Sequence, residues 1–358
     1  MKANKHKIIF VLPSFSAGGA ERVLISLMNG LNREKFSPEF ICLKKGGSLR
    51  SLIAPDTPVH APFNFPKVMF SLSYLWWMIW RLQPDTVIST MAHMNFALLI
   101  VRFFLPRRIK FIVREAITPS YMRGMTRYPA LIEWLYRVLY PSADIVICPA
   151  QLIIDEFKTL TGLKPKRFQL LYNPVQLDRI RAHLPASAHN HIRHFICAGR
   201  LHPQKGYARL ISALADAAFA FEWRLDIWGD GDEHDALQKL IQEKGLNHRV
   251  FLRGFTNQPW PEMAQADAFL LPSLYEGLPN VALESLAVGT TVIAMESAGG
   301  IAEIASAVSP GHVVVCPHMN DFVYAMAQTV KKKNYGENLL PRRFHPDHVL
   351  SEFEKILN

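Results

Sequence analysis

Short runs of β-branched, aromatic and other apolar residues alternate with stretches whose apolar positions recur every three or four residues, along the whole chain. In the first half the strand-like runs are Lys7–Leu12, Glu39–Leu43, Thr86–Thr90, Lys110–Arg114, Asp144–Cys148 and Phe168–Tyr172. Helical patterns lie between several of them, at Ala20–Leu31, Asn95–Leu105 and Gln151–Leu160. The second half repeats the theme, with strands at Phe195–Ala198, Arg224–Trp228, Val250–Leu252, Ala268–Leu271, Thr291–Ala294 and His312–Val315, and a helix over Tyr207–Ala217. Strands that are apolar almost continuously belong to parallel sheets covered on both faces. Two successive sets predict an α/β protein of two Rossmann-like, doubly wound domains. Their ligand would lie at the carboxyl ends of the strands, most usefully in the cleft between the domains. The division falls near Tyr172-Asn173-Pro174-Val175, and a polar stretch, Pro185 to His194, precedes the next strand. Pro346–Leu357 reads as an amphipathic terminal helix. The expected layout is therefore residues 1–172, 173–340 and a terminal segment 341–358, without internal repeats.

Composition narrows the class. The 358 residues are 49% hydrophobic and 20% charged, which is ordinary globular usage and argues against a disordered or collagen-like chain. Cys42, Cys148, Cys197 and Cys316 each sit in an apolar run with no CxxC spacing, as buried thiols in a reducing compartment would. The basic start resembles a signal peptide, but its apolar stretch ends at Pro13, too short for one, and a first strand explains it better. The longest stretches of the first half without Asp, Glu, Lys or Arg, Val68–Trp80 and Thr86–Val101, fall short of the ~20 apolar residues of a spanning helix. A cytoplasmic protein, at most peripheral to the membrane, is expected. The net charge of +10 is uneven: residues 1–174 hold 23 basic and 10 acidic side chains, residues 175–358 hold 17 and 20. The excess belongs to the first half and bears on its partners rather than on the fold.

Three constellations carry candidate chemistry. Ser16-Ala17-Gly18-Gly19-Ala20-Glu21-Arg22 follows the first strand and opens the first helix, where glycines and helix N–H groups suit an anion, or simply a tight turn. It is not GxGxxG, which weakens a dinucleotide-binding reading. Gly199-Arg200-Leu201-His202-Pro203-Gln204-Lys205-Gly206 places two cations, Arg200 and Lys205, at a strand's carboxyl end, where a diphosphate could be held; an incidental solvated loop would look the same. In Ser273-Leu274-Tyr275-Glu276-Gly277-Leu278-Pro279-Asn280-Val281-Ala282-Leu283-Glu284, Pro279 reads as a first-turn residue and Gly289 as a helix stop. Glu276 then lies in the loop and Glu284 about one turn inside the helix. They could bind hydroxyls at either end of a sugar nucleotide, or be two helix-surface glutamates.

Other signals are discounted. Asp230-Gly231-Asp232 mimics a metal-binding DxD, but Asp232 reads better as a helix cap. His189, His191 and His194 occupy the polar linker, and Lys331-Lys332-Lys333 reads as a solvated helix end. No metal site is expected.

At these residues the sequence closely resembles the two-domain retaining glycosyltransferases of the GT-B fold, GT4 type, in their bacterial envelope-polysaccharide branch. The resemblance spans nearly the whole chain: GGAER, YNPV, GRLHPQKG, WGDGDE and EGLPNVALESLAVGTTVIA, with seven residues between Glu276 and Glu284. It implies that Arg200 and Lys205 grip the donor diphosphate as leaving group. Glu276 would bind the transferred sugar and Glu284 the ribose. Gly277, Leu278, Pro279 and Asn280 would bind sugar or phosphate oxygens, and Gly18 and Gly19 would close over the donor. Arg253, Gly254 and Phe255 would lie near the base. It further implies retention at the anomeric carbon, no metal or other cofactor, and a last helix that crosses back onto domain one. Relatives carry a His where this chain has Ala116, after Val113-Arg114-Glu115. Either Glu115, Arg114 or His93 replaces it on the acceptor side, or the donor is held differently.

Domain one also carries Tyr74-Leu75-Trp76-Trp77-Met78-Ile79-Trp80-Arg81 and the apolar, Arg-rich run Ala97 to Arg108. These fit ordinary buried helices or a surface dipping into an anionic leaflet. With the basic excess they favour a lipid-linked glycan acceptor, in lipopolysaccharide, O-antigen or capsule assembly, met at the inner face of the cytoplasmic membrane. A monomer and no nucleic-acid partner are expected. The competing readings are a sugar-nucleotide epimerase on the same fold, which would need no acceptor, and a basic nucleic-acid binder, for which no binding signature is present.

Overall fold

A computed structural model of the chain describes residues 5–16, 18–182, 184, 192–330 and 336–358. His189, His191 and Lys331-Lys332-Lys333 lie outside the described residues. The chain forms two compact units, residues 1–174 with 346–358, and residues 175–345.

The first unit is built on seven strands: β1 (His6–Leu12), β2 (Phe36–Cys42), β3 (Val59–His60), β4 (Thr86–Thr90), β5 (Lys110–Arg114), β6 (Ile145–Cys148) and β7 (Phe168–Leu170). They form one parallel sheet in the order β3-β2-β1-β4-β5-β6-β7. Strand side chains alternate between faces, and β1 divides accordingly. Ile8, Phe10 and Leu12 enter one core with the helix Gly19–Asn29. Ile9 and Val11 enter another with the helices Leu72–Leu82 and Ala92–Arg102. Both cores are apolar, so the strand must be apolar throughout.

The terminal helix Pro346–Leu357 belongs to this unit, as the resemblance implied. Val349, Phe353 and Leu357, at four-residue spacing, are buried in the core holding Phe10, and the Phe10 and Phe353 rings lie 6.5 Å apart. Burying each such side chain contributes about 1.5–3 kcal/mol. Lys110 Nζ donates to the carbonyls of Ile356, at 2.8 Å, and Leu357, at 3.3 Å, and so satisfies groups that a helix end leaves open.

The second unit has β8 (Arg193–Ala198), β9 (Trp223–Trp228), β10 (Val250–Gly254), β11 (Ala268–Leu271), β12 (Val292–Met295) and β13 (Val313–Cys316). They form a parallel sheet in the order β10-β9-β8-β11-β12-β13. The helices Tyr207–Ala215, His234–Glu243 and Met319–Gln328 close a core around Phe195, Cys197, Leu225 and Ile227. Each sheet reverses direction of winding once, between β1 and β4 and between β8 and β11. Loops at such a switch point diverge to opposite faces and leave a crevice at the carboxyl ends. The loop after β8 begins at Gly199 and the loop after β11 carries Ser273 to Pro279, so both flank the switch point of the second sheet.

Three expectations are corrected. His194 is not a linker residue but a buried member of β8. Asp232 does not cap the following helix, which starts at His234 with Glu233 in the capping position and no side-chain cap bond. The two-residue strand β3 was not foreseen, because two residues show no periodicity.

Candidate active site

The loops after β8 and β11 are fastened to each other before any ligand is considered. Leu274 N–H donates to the Gln204 carbonyl at 2.8 Å, and Gln204 Nε2 donates to the Tyr275 carbonyl at 3.1 Å. Gly206, at φ +69°, lets the first loop pass so close that a Cβ there would lie 2.2 Å from the Pro272 carbonyl oxygen. Gly299, at φ +61°, does the same from the other side, where a Cβ would meet the Glu276 carbonyl oxygen at 2.1 Å. Only glycine accepts both the left-handed backbone and that approach.

This bracing brings together two residues singled out in the sequence. Lys205 Nζ lies 2.6 Å from Glu276 Oε1, with the two side chains only 16% and 11% exposed. Ser273 Oγ, fully buried, donates to the same carboxylate oxygen at 2.9 Å. A largely desolvated ion pair of this kind is costly to assemble and keeps one geometry. Arg200 is exposed and makes no ion pair among the described residues. Glu284 is in the helix Asn280–Ala287, one turn from its start, where its Oε2 accepts from the Trp260 indole N–H at 2.8 Å. Gly277, Leu278 and Pro279 are buried, and the Gly277 carbonyl accepts from Gly300 N–H at 2.7 Å. The structure thus brings Lys205 and Glu276 together as a buried ammonium–carboxylate pair; Arg200 lies in the loop after β8, and Glu284 on the helix that follows the loop after β11.

Arg253, Gly254 and Phe255 end β10. Phe255 is exposed, and the Gly254 carbonyl accepts from Gly229 N–H at 2.9 Å. Arg253 is committed inward: its Nε donates to Asp226 Oδ1 at 2.7 Å and its guanidinium lies 4.6 Å from the centre of the Phe251 ring. Asp226, fully buried on β9, also accepts from His194 Nε2 at 2.8 Å and from Arg224. Burial alone would raise its pKa, but these three partners hold it well below the usual carboxylate range.

In the first unit, Gly18 caps the helix Gly19–Asn29 in extended conformation, with its N–H bonded to the Ser16 carbonyl at 2.8 Å. His93 is exposed at the start of the helix Ala92–Arg102, after Met91, whose φ of +74° is unusual for a side-chain-bearing residue. Both elements follow β1 and β4 at the switch point of the first sheet. Arg114 and Glu115, by contrast, are fully buried at the end of β5. Arg114 donates to Thr90 Oγ1 at 3.4 Å and to Asn173 Oδ1, and burial pushes its guanidinium down to about 10 against the opposing pull of Cys148 and Glu115. Glu115 Oε1 accepts from Asn95 Nδ2 at 2.6 Å and from the Tyr140 hydroxyl, whereas Oε2 has no partner. Burial raises this carboxyl to about 7, with the Tyr140 and Asn95 bonds and the Arg114 charge opposing.

The sign of the linkage follows. A carboxyl whose native pKa lies above its unfolded value makes the native state the better proton binder, so stability falls as pH rises from about 4.5 through about 7. Glu115→Gln is expected to flatten that decline, by an amount on the order of 3 kcal/mol at most. Melting temperatures of both proteins between pH 4.5 and pH 8.5 check this; parallel curves would remove Glu115 as the cause.

Sequence reasoning missed Ser273, Trp260, Asn95 and Tyr140 as partners of the candidate carboxylates, and Gln204 as the brace between the two loops. Ser273 stood in the quoted motif, three residues before Glu276. Trp260, Asn95 and Tyr140 are 20 or more positions from the residues they hold, and only the fold brings them there.

Comparison with known proteins adds independent findings. A model described as glycosyl transferases group 1 matches residues 187–342, and one described as glycosyltransferase family 4 matches residues 17–179. A Campylobacter jejuni N-acetylgalactosamine-N,N'-diacetylbacillosaminyl-diphospho-undecaprenol 4-alpha-N-acetylgalactosaminyltransferase is 28% identical over 310 residues, 83% of each chain. The Rhizobium meliloti lipopolysaccharide core biosynthesis glycosyltransferase LpsE is 29% identical over 291 residues, 79% of this chain and 77% of its own. Among solved structures, Anabaena HepE in complex with UDP and glucose superposes with a TM-score of 0.78 at 19% identity, covering 98% of this chain and 99% of its own. Likeness at that identity speaks for the fold alone.

Proposed function

Because the chain belongs to the glycosyltransferases of family 4, we propose that it transfers a sugar from a nucleotide-sugar donor to a lipid-linked glycan acceptor during assembly of an envelope polysaccharide. The observation that carries this reading is the Lys205–Glu276 pair, 2.6 Å apart and largely buried at the switch point of the second sheet. The relatives' names support the acceptor class: one acts on a diphospho-undecaprenol glycan and another on lipopolysaccharide core.

Under this reading Arg200 and Lys205 hold the donor diphosphate and neutralise its charge as it departs, a task that fixed cations do well in a dry site. They also take the part a metal ion would otherwise play, so no metal or cofactor is required. Glu276 binds hydroxyls of the transferred hexosyl or N-acetylhexosaminyl group, and Glu284 binds the ribose. The bond from the anomeric carbon to the diphosphate oxygen breaks through an oxocarbenium-like state. The acceptor oxygen bonds the anomeric carbon on the same face, and its proton passes to the departing phosphate oxygen, so configuration is retained. No helix of the described residues is long and apolar enough to cross a membrane; the enzyme would reach a lipid-linked acceptor peripherally, from the inner face of the cytoplasmic membrane.

The test is a screen of UDP-, GDP- and ADP-sugars with lipid-linked acceptor extracts, reading nucleotide release and the anomeric configuration of the product. Release that depends on acceptor, with retention, is expected. A converted sugar nucleotide formed without acceptor would make the protein an epimerase, and no release with any donor would overturn the proposal.

A further inference from the structure

The seven-stranded sheet is covered differently on its two faces. On one lie the helices Gly19–Asn29 and Pro346–Leu357, which expose no large hydrophobic side chain. On the other, Leu72–Leu82, Ala92–Arg102 and Pro129–Leu139 lie side by side, each burying its inner side in the core. The outer surface of this second layer is aromatic. Trp76, Trp77 and Trp80 are 40%, 44% and 52% exposed, Phe103 and Phe104 after the second helix 63% and 73%, and Trp134 on the third 56%. All four tryptophans of this unit therefore face outward from one layer. Chance exposure scatters single residues and does not gather them so.

The rings are held in place. The Trp76 indole N–H donates to the Phe104 carbonyl at 3.0 Å, Trp76 stacks on Trp80 at 6.4 Å, and Arg81 lies over the Trp77 ring at 5.3 Å. Around the Trp76, Trp77, Trp80 and Phe104 rings the exposed charge has one sign, whereas Trp134 stands beside Glu133, which is paired with Arg123 and Arg137. Lys67, Arg81, Arg107 and Arg108 are exposed, and the one acidic residue between positions 61 and 110 is Asp85, which accepts from the Lys7 backbone N–H. A second copy of this chain suits such a surface poorly, because a two-fold contact would set these cations against one another. An anionic surface that is apolar beneath suits both features.

We propose that the outer surface of this helical layer is the face by which the protein docks on an anionic lipid bilayer. Trp76, Trp80, Phe104 and Trp134 enter the headgroup region, and Lys67, Arg81, Arg107 and Arg108 meet the lipid phosphates. The proposal deepens the membrane-side reading above by naming the surface, but it does not depend on which donor the site takes.

The test uses the full chain with phosphatidylglycerol–phosphatidylcholine vesicles and with phosphatidylcholine vesicles alone. Sedimentation with the anionic vesicles, loss of binding at high salt, and quenching of tryptophan fluorescence by brominated lipid are expected. The variant W76A/W80A/F104A is expected to lower vesicle partitioning about tenfold or more, and R107S/R108S to weaken binding chiefly at low salt. Both should keep the wild-type affinity for UDP by calorimetry, which also shows that they fold. Absent binding of the wild-type protein, unquenched tryptophans, or unchanged binding by both variants would overturn the proposal. So would a dimer that the triple variant dissociates without any vesicle binding. No nucleotide release with any UDP-, GDP- or ADP-sugar, vesicle binding being intact, would instead sink the donor-site reading.

Discussion

Lys205→Ala is expected to lower kcat/KM for the sugar-nucleotide donor by about two to three orders of magnitude, the usual cost of removing one fixed electrostatic donor from a transition state. The melting temperature should fall as well, because the Glu276 carboxylate, 11% exposed, is left with only the Ser273 hydroxyl at 2.9 Å, so activity is compared at a temperature where the variant is folded. Glu276→Ala is expected to cost a similar factor for a different reason. It removes the sugar-binding acceptor and also leaves the Lys205 ammonium, 16% exposed, without the carboxylate that positions it. Since each residue holds the other, the double variant should lose far less than the product of the two single losses. Nucleotide release measured for the three variants, alongside thermal melts, decides the matter. Turnover of either single variant within fivefold of wild type would refute the assigned roles.

Asp226→Ala is expected to destabilise the second unit. Three cationic or polar partners, His194, Arg224 and Arg253, converge on one buried carboxylate. Its removal takes the partner from buried His194 and from Arg224 and Arg253, whose side chains stay 33% and 32% exposed and can hydrate, at a cost of about 1–3 kcal/mol. In a unit of this size that lowers the melting temperature by roughly 5 °C. The pH dependence has a definite sign. The native pKa lies below the unfolded one, so the stabilisation is present above about pH 4 and is lost as pH falls through the native value. Wild-type protein should therefore unfold steeply in acid, whereas the variant, already lacking the network, should show a shallower slope there. Equal slopes for the two would remove Asp226 from the account. The same network fixes Arg253, whose Nε donates to Asp226 at 2.7 Å.

The alternation of elements was legible because parallel sheets demand it. Strands such as β1 must be apolar on both faces, and helices such as Pro346–Leu357 must place Val349, Phe353 and Leu357 on one. Ends were misjudged by up to three residues, as at β2 and the helix Ala92–Arg102, and at β10, where the ladder resumes at Gly254 after a register shift that skips Arg253. The Lys205 and Glu276 loops were legible from residue types beside strands, but not the 2.6 Å contact, which depends on β8 and β11 being neighbours. His194 was misplaced because a histidine at the end of a polar stretch looks solvated until Asp226, 32 positions away, comes beside it. In the sequence Glu115 stands out only as a substitute for a histidine. Its pKa is raised by burial alone, against the Asn95 and Tyr140 hydrogen bonds, and no local pattern shows that burial or links those two residues to it.

The terminal helix makes the second unit an insertion within the chain of the first: the backbone leaves the first unit after Pro174 and returns at Pro346. A ribosome delivers the chain from its amino end, so residues 175–345 emerge whole while the sheet face around Phe10 still lacks Phe353 and Leu357. The second unit can thus mature first, and the basic, aromatic unit is completed only after Pro346–Leu357 has emerged. The surface richest in exposed tryptophan therefore belongs to the part of the molecule that spends longest unfinished, where chaperones or the membrane itself would first encounter it.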